Sequence, residues 1–136
     1  MILVDSSIWI DHLRRGNASL ARLLGDNAVL AHPWVTGELA LGNLNRRDEV
    51  IGLLRGLPQA TLADNDEVLR LIEQETLYGA GIGYVDAQLL AASRLTPDTR
   101  LWTKDKRLSA ITARLGLGFL PTPHPEQRPP VTLSAT

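Results

Sequence analysis

No cysteine occurs in the 136 residues, so neither a disulfide framework nor a thiolate metal site is available, as suits a reducing compartment. A dominant charge is missing as well. Fourteen Lys and Arg stand against fifteen Asp and Glu, a net charge of −1. No global field therefore draws the chain to nucleic acid, and any such binding has to use local basic patches. No apolar run approaches the roughly 18 residues of a membrane span. The apolar residues 2–4 meet Asp5 at once, with no charged leader before them. A secretory signal is not expected, and the expected location is cytoplasmic. Aromatic residues make up only 4%, and Trp9, Trp34 and Trp102 suit the core or a dimer face better than a base-stacking platform. His12, His32 and His124 are scattered among different elements, in keeping with surface or capping roles rather than metal ligation.

What is present is an ordinary globular composition, 44% hydrophobic and 21% charged. The length suits one domain that buries roughly 68% of its unfolded surface. Short apolar or β-branched runs predict strands over residues 2–4, 28–30, 60–62, 100–103 and 118–120. Helices are expected between them, over residues 8–15, 33–43, 47–55, 84–95 and 105–115. A further short one is capped by Asn17, and another is capped by Asp64 or Asn65 and runs through Tyr78. Ser6 and Ser7 are expected to cap the first helix, Pro33 suits the first turn of its own, and Gly16 and Gly116 end theirs. Strands alternating with helices indicate an α/β domain with a central, mostly parallel sheet of about five strands. From Pro121 onward five of sixteen residues are proline, mixed with Thr, Ser and Gln. Residues 1–120 are therefore read as the domain and 121–136 as an extended or disordered tail.

Four carboxylates stand where helices begin or strands end. Asp5 closes "ILVD", Glu38 lies in the first turns of "HPWVTGELAL", Asp86 opens "YVDAQLLAAS", and Asp105 follows "RLWTKD". An acid in the first turn of a helix is commonly a complement to the macrodipole. Asp5 resists that reading, because it ends a buried strand, where a charge leaves water at a cost of several kcal/mol unless something positive lies nearby. In a parallel α/β sheet, strand ends and helix starts converge on one edge, so these four acids can share one pocket. Two such charges 4 Å apart repel by about 4 kcal/mol at an effective dielectric of 20. Four together need protons or a cation, and oxygen donors of this hardness match Mg²⁺ or Mn²⁺.

The stretches "ILVDSSIWIDHL", "VTGELALGNL", "GIGYVDAQLLAAS" and "LWTKDKRL" resemble the motifs of PIN-domain ribonucleases, in particular VapC-type toxins, from residue 1 to about 120. Asp5, Glu38, Asp86 and Asp105 fall on the family's four acidic positions and Ser7 on its small hydroxyl position. The resemblance implies a three-layer α/β/α fold and endonucleolytic cleavage of RNA that depends on Mg²⁺ or Mn²⁺. It also implies a homodimer and a cognate VapB-like antitoxin whose C-terminal segment occupies the active-site groove. On that reading Asp5, Asp86 and Asp105 hold the metal or its waters, and Glu38 lies beside them or positions the attacking water. Ser7 supports Asp5. Phosphate contacts are sought among Arg14, Arg15, Arg46, Arg47, Lys104, Lys106 and Arg107, with the 104–107 cluster best placed.

Three other readings compete. "YGAGIGY" imitates a dinucleotide-binding fingerprint, but it follows an expected helix instead of a strand. A phosphatase with a strand-end Asp nucleophile wants a second Asp two residues on, and Ser7 occupies that position. A non-catalytic RNA- or protein-binding module would gain nothing from four acids.

Overall fold

Strand β1 (Ile2–Val4) is the middle of the sheet in the computed structural model, which describes residues 1–121. Leu3 and Val4 are fully buried, as a strand covered on both faces requires. β1 is followed by α1 (Ser6–Arg15), α2 (Ala18–Gly25) and β2 (Val29–Leu30). Then come α3 (Pro33–Ala40), α4 (Arg47–Gly56), α5 (Asn65–Gln74), α6 (Tyr84–Leu95), β3 (Arg100–Trp102) and α7 (Lys106–Leu115). β1 pairs in parallel with β2, Leu3 opposite Leu30, and with β3, Leu3 opposite Leu101. The order β2-β1-β3 is that of a doubly wound sheet, in which connections leave the central strand toward both edges.

The α/β class and the parallel sheet are as expected, but the five strands are not. Three form, and the segments expected as the other two touch the sheet through single bridges, Ala31 to Gln59 and Leu101 to Gly118. The reason is local. After Ala60 has donated to the Ala31 carbonyl, the Thr61 N–H turns to Thr96 Oγ1 at 2.9 Å. Beyond Phe119, which donates to Leu101, Pro121 has no N–H with which to continue a ladder.

Helix α6 is buried from Ala87 through Ser93, and its small residues Ala91 and Ala92 let it pack closely along the sheet. It carries Asp86 in its first turn. The α3 helix stops at Ala40, short of the expected Asn43, so Glu38 lies in its last turn, not its first. The α5 helix likewise ends at Gln74, before the expected Tyr78. Its start is a full capping box, with Asp64 and Glu67 each accepting the other's backbone N–H. The serines do not cap α1. Asp5 does, and Ser6 and Ser7 are the first residues of the helix. Trp9 and Trp102 are core residues at 1% and 5% exposure, whereas Trp34 is 43% exposed. Residues 122–136, with most of the expected tail and His124, lie outside the described residues.

Candidate active site

β1 and β3 lie side by side and parallel, so Asp5 and Thr103, the residues that follow them, leave the sheet at one edge. In a sheet of this order the crevice opens between the carboxyl ends of these two strands, where such folds bind ligands.

Asp5 is the most enclosed acid there, 6% exposed. Its compensation is neutral. Oδ1 accepts from the Ser6 N–H at 2.7 Å and lies 3.4 Å from the Ser6 hydroxyl. Oδ2 accepts from the Thr103 hydroxyl at 2.7 Å and from Ser7 Oγ at 2.9 Å. Hydrogen bonds to a charged acceptor are shorter and stronger than neutral ones, and a set of this kind offsets the desolvation that the strand imposes. The two hydroxyls are themselves oriented: Ser7 Oγ accepts from the Lys104 N–H at 3.0 Å, and Thr103 Oγ1 from the Asp105 N–H at 3.0 Å. Each therefore has its lone pair engaged by the β3–α7 turn and its proton left for Asp5.

The other three acids reach the same space from different elements. Glu38, on the exposed side of α3, is linked to Asp5 through the Ser6 hydroxyl, 3.3 Å from Glu38 Oε1. Partial desolvation raises its carboxyl above the ordinary range, and the charge of Asp5 adds to this. The Ser6 hydroxyl opposes the rise, and Asp86 contributes a smaller increase. Asp86 is half-buried and also raised, chiefly by desolvation. The Gly83 N–H, 3.1 Å from Oδ2, pulls it back, and the charges of Asp5 and Asp105 push it up. Asp105 is exposed and caps α7, its Oδ1 accepting from the Leu108 N–H at 2.9 Å. The structure thus brings Asp5, Glu38 and Asp86 within electrostatic reach of one another, with Asp105 acting on Asp86.

Among the described residues, no three Asp, Glu or His side chains form a ready-made cation cage. The donor chemistry nevertheless fits a hard divalent ion: the gathered groups are carboxylate and hydroxyl oxygens, and two of the acids have carboxyls raised partly by their neighbours' charges.

The basic residues are less concentrated than their sequence positions. Lys104 lies 3.4 Å and Arg15 2.6 Å from the Asp11 carboxylate, so both are tethered to one acid. That pairing, led by the Arg15 hydrogen bond, holds the Asp11 carboxyl below its ordinary value. Arg46 is 3.8 Å from Glu49, and Arg47 closes the turn after α3 through the Gly42 carbonyl at 3.3 Å. Arg14 lines a groove of about 360 Å³ with Ile10, Leu13, Leu39 and Leu44, and Glu38 stands on its wall. Lys106 is exposed at the start of α7. Arg107 donates to the Gly81 carbonyl at 3.3 Å. Gly81 has φ +81°, a backbone conformation that favours glycine, and a Cβ there would lie 2.7 Å from Arg107 Nη1, so the arginine side chain would have to shift.

Two contributors were missed in the sequence, Ser6 as the link to Glu38 and Thr103 as a donor to Asp5. The readable signal was a hydroxyl beside each strand-end acid, in "VDSS" and "WTKD".

No family model matches the chain. It is 50% identical over 119 residues to Ribonuclease VapC32 of Mycobacterium tuberculosis strain H37Rv, a match covering 88% of this chain and 96% of that protein. Ribonuclease VapC32 of strain CDC 1551 / Oshkosh matches to the same extent.

Proposed function

The chain belongs to the VapC-type PIN-domain ribonuclease toxins, and from that premise we propose that the acidic crevice is where it hydrolyses RNA phosphodiester bonds. One observation carries the assignment of the site. Carboxylates from four separate elements gather at the carboxyl ends of β1 and β3, Asp5 and Glu38 sharing the Ser6 hydroxyl and Asp5 and the Asp105 N–H sharing the Thr103 hydroxyl. The neighbouring acids contribute to the raised carboxyls of Glu38 and Asp86.

In this reading Asp5, Asp86 and Asp105 hold Mg²⁺ or Mn²⁺, with Glu38 beside them. The ion supplies charge neutralisation at the phosphate and acidifies water. The chain's own groups divide the remaining work. Asp5, with both oxygens held by donors, is a fixed anchor. Asp86 and Asp105 are each oriented by one backbone N–H. Glu38, held through a single hydroxyl and raised in pKa, is the better base. It accepts the proton of the attacking water as the water oxygen bonds to phosphorus and the bond from phosphorus to the departing ribose oxygen breaks, that oxygen taking up a proton from solvent to leave as the hydroxyl. Ser7 positions Asp5, while Lys104, Lys106 and Arg107 meet backbone phosphates.

The groove beside Glu38, apolar along Ile10, Leu13, Leu39 and Leu44 with Arg14 at its side, suits the C-terminal segment of a VapB-like antitoxin. A homodimer and a cytoplasmic site of action belong to the same proposal. None of the described helices is long and apolar enough to cross a membrane. The test is RNA cleavage with Mg²⁺ or Mn²⁺ by the wild type, Asp5→Ala and Asp86→Ala. Both variants are expected to lose cleavage, and equal activity in all three proteins would defeat the assignment.

A further inference from the structure

The face of α3 that carries Glu38 also carries an exposed tryptophan. Val35 and Leu39 are the residues α3 buries, whereas Trp34, one turn before Glu38, is 43% exposed. Residues four apart on a helix are neighbours on one face. Trp34 meets Tyr84, the first residue of α6 and two before Asp86, with ring centroids 5.6 Å apart and planes at 51°. Tyr84 is itself 38% exposed. Its hydroxyl donates to Asn65 Oδ1 and accepts from Gln88 Nε2 at 3.0 Å, so the phenol end is fixed while the ring stays open. The two helices that bring Glu38 and Asp86 together therefore also bring together an aromatic pair, Trp34 one turn before Glu38 and Tyr84 two residues before Asp86.

Gly37 follows Trp34 by three residues and is also exposed on α3. A Cβ there would meet nothing within 4 Å, so packing does not demand glycine, which costs a helix interior about 1 kcal/mol relative to alanine.

We propose that Trp34 and Tyr84 form a stacking platform for one unpaired base of the RNA, next to the phosphate held at the acidic crevice. This rests on the acidic site being the place of cleavage. The occupant is a base because every base offers a π-face to an exposed ring, the activity acts on RNA, and the pair adjoins the carboxylates instead of forming a separate patch. The tilt of the rings leaves room for a base against Trp34, with Tyr84 as a rigid side wall.

The experiment uses a short single-stranded RNA carrying 2-aminopurine, bound in EDTA so that binding is read apart from cleavage. Stacking on Trp34 is expected to quench the probe. Trp34→Ala and Trp34→Leu should abolish that quench and weaken Kd by roughly tenfold to a hundredfold, the range of a single base–aromatic stack. Trp34→Phe should stay within about threefold of wild type, because a ring remains. With Mn²⁺ added, the Ala and Leu variants should raise KM more than they lower kcat. Asp86→Asn should bind and quench normally while failing to cleave, which separates the platform from the acids. Wild-type affinity and quench in both Ala and Leu variants would overturn the platform. So would loss of self-association or antitoxin binding in those variants with RNA affinity unchanged, which would mark the pair as a protein interface. Full cleavage by Asp86→Asn would overturn the acidic site, and with it the position assigned to the base.

Discussion

Replacing Thr103 by valine removes one hydroxyl and almost nothing else, and the position of that hydroxyl makes the consequence calculable. Thr103 Oγ1 is 2.7 Å from Asp5 Oδ2, and Asp5 is 6% exposed, so water cannot readily take the vacated place. A hydrogen bond to a charged group contributes about 1.5–3 kcal/mol. The Asp105 N–H, which also loses its acceptor, belongs to an exposed residue and is rehydrated at little cost. The half-buried valine methyl returns up to about 0.8 kcal/mol. Net destabilisation should therefore be about 1–2 kcal/mol, or roughly 5 °C in Tm for a domain of this size.

Urea unfolding at pH 7, followed by far-UV circular dichroism, measures the loss, and Thr103→Ser should recover most of it. Ser7 Oγ serves the same oxygen at 2.9 Å, so in a Ser7→Ala background Thr103→Val leaves Oδ2 without a side-chain donor. It should then cost about 1 kcal/mol more than in wild type, a coupling expected of groups sharing one partner. Wild-type stability in Thr103→Val, or a Thr103→Ser as damaged as the valine, would refute the claim that hydroxyls sustain the buried charge.

His32 is fully buried, its Nδ1 accepting from the Trp34 N–H at 3.1 Å while Nε2 has no partner among the described residues, and desolvation lowers its pKa to about 4. The unfolded imidazole takes up a proton near pH 6.5 and the folded one only near 4. This stability is therefore complete above pH 6.5 and is lost as pH falls to 4, by up to about 3 kcal/mol. His32→Asn, which retains a capping oxygen, should be less stable at pH 7 but flatter from pH 6.5 to 4.5 in urea titrations; an equally steep decline would exclude His32 as the cause. Lys106→Ala with Arg107→Ala should weaken RNA binding and lower the salt slope by about 1.4, at roughly 0.7 per phosphate contact; an unchanged slope would count against both residues. Asp105→Asn should keep the helix cap and most of the stability while losing cleavage, because Asn caps as well as Asp does. Asp105→Ala should lose about 1 kcal/mol as well, and an active Asp105→Asn would remove that acid from the site.

Much of this was legible because local signals agreed with the fold. The α6 helix runs over the residues its apolar pattern marks, Tyr84–Leu95, and Pro33 and Gly116 stand at the helix ends that their backbone preferences favour. Asp5, Asp86 and Asp105 could be placed on one edge because chain order puts strand ends and helix starts together, whereas Glu38 reaches it from the last turn of α3. The outer strands could not be foreseen. Whether 60–62 joins the sheet turns on the Thr61 N–H choosing a threonine hydroxyl 35 residues away, and no period in the sequence encodes that choice. The neutral partners of Asp5 were hidden for the same reason, since Thr103 is 98 residues distant. Of the two places expected for Trp34, the core or a dimer face, its 43% exposure excludes the core. Its exposure follows from α3 facing the core with Val35 and Leu39.

Helix capping and site building, posed as rival explanations for these acids, describe one arrangement. Asp5 and Asp105 cap α1 and α7, and Asp86 accepts the N-cap N–H of α6. Three positive helix ends are thus aimed at the edge where the carboxylates gather, and each such end favours a nearby anion by about 0.3–1 kcal/mol. That is small beside the repulsion between close like charges, so the dipoles reduce the strain without removing it; the carboxyls of Glu38 and Asp86 stay raised, first by desolvation and further by their neighbours' charges. Glu38 sits in the last turn of α3, facing a negative helix end, and so gains nothing from a dipole. Its tie to the crevice is the Ser6 hydroxyl, which lies 3.3 Å from Glu38 and 3.4 Å from Asp5, so its place in the cluster rests on that shared hydroxyl and not on a helix end.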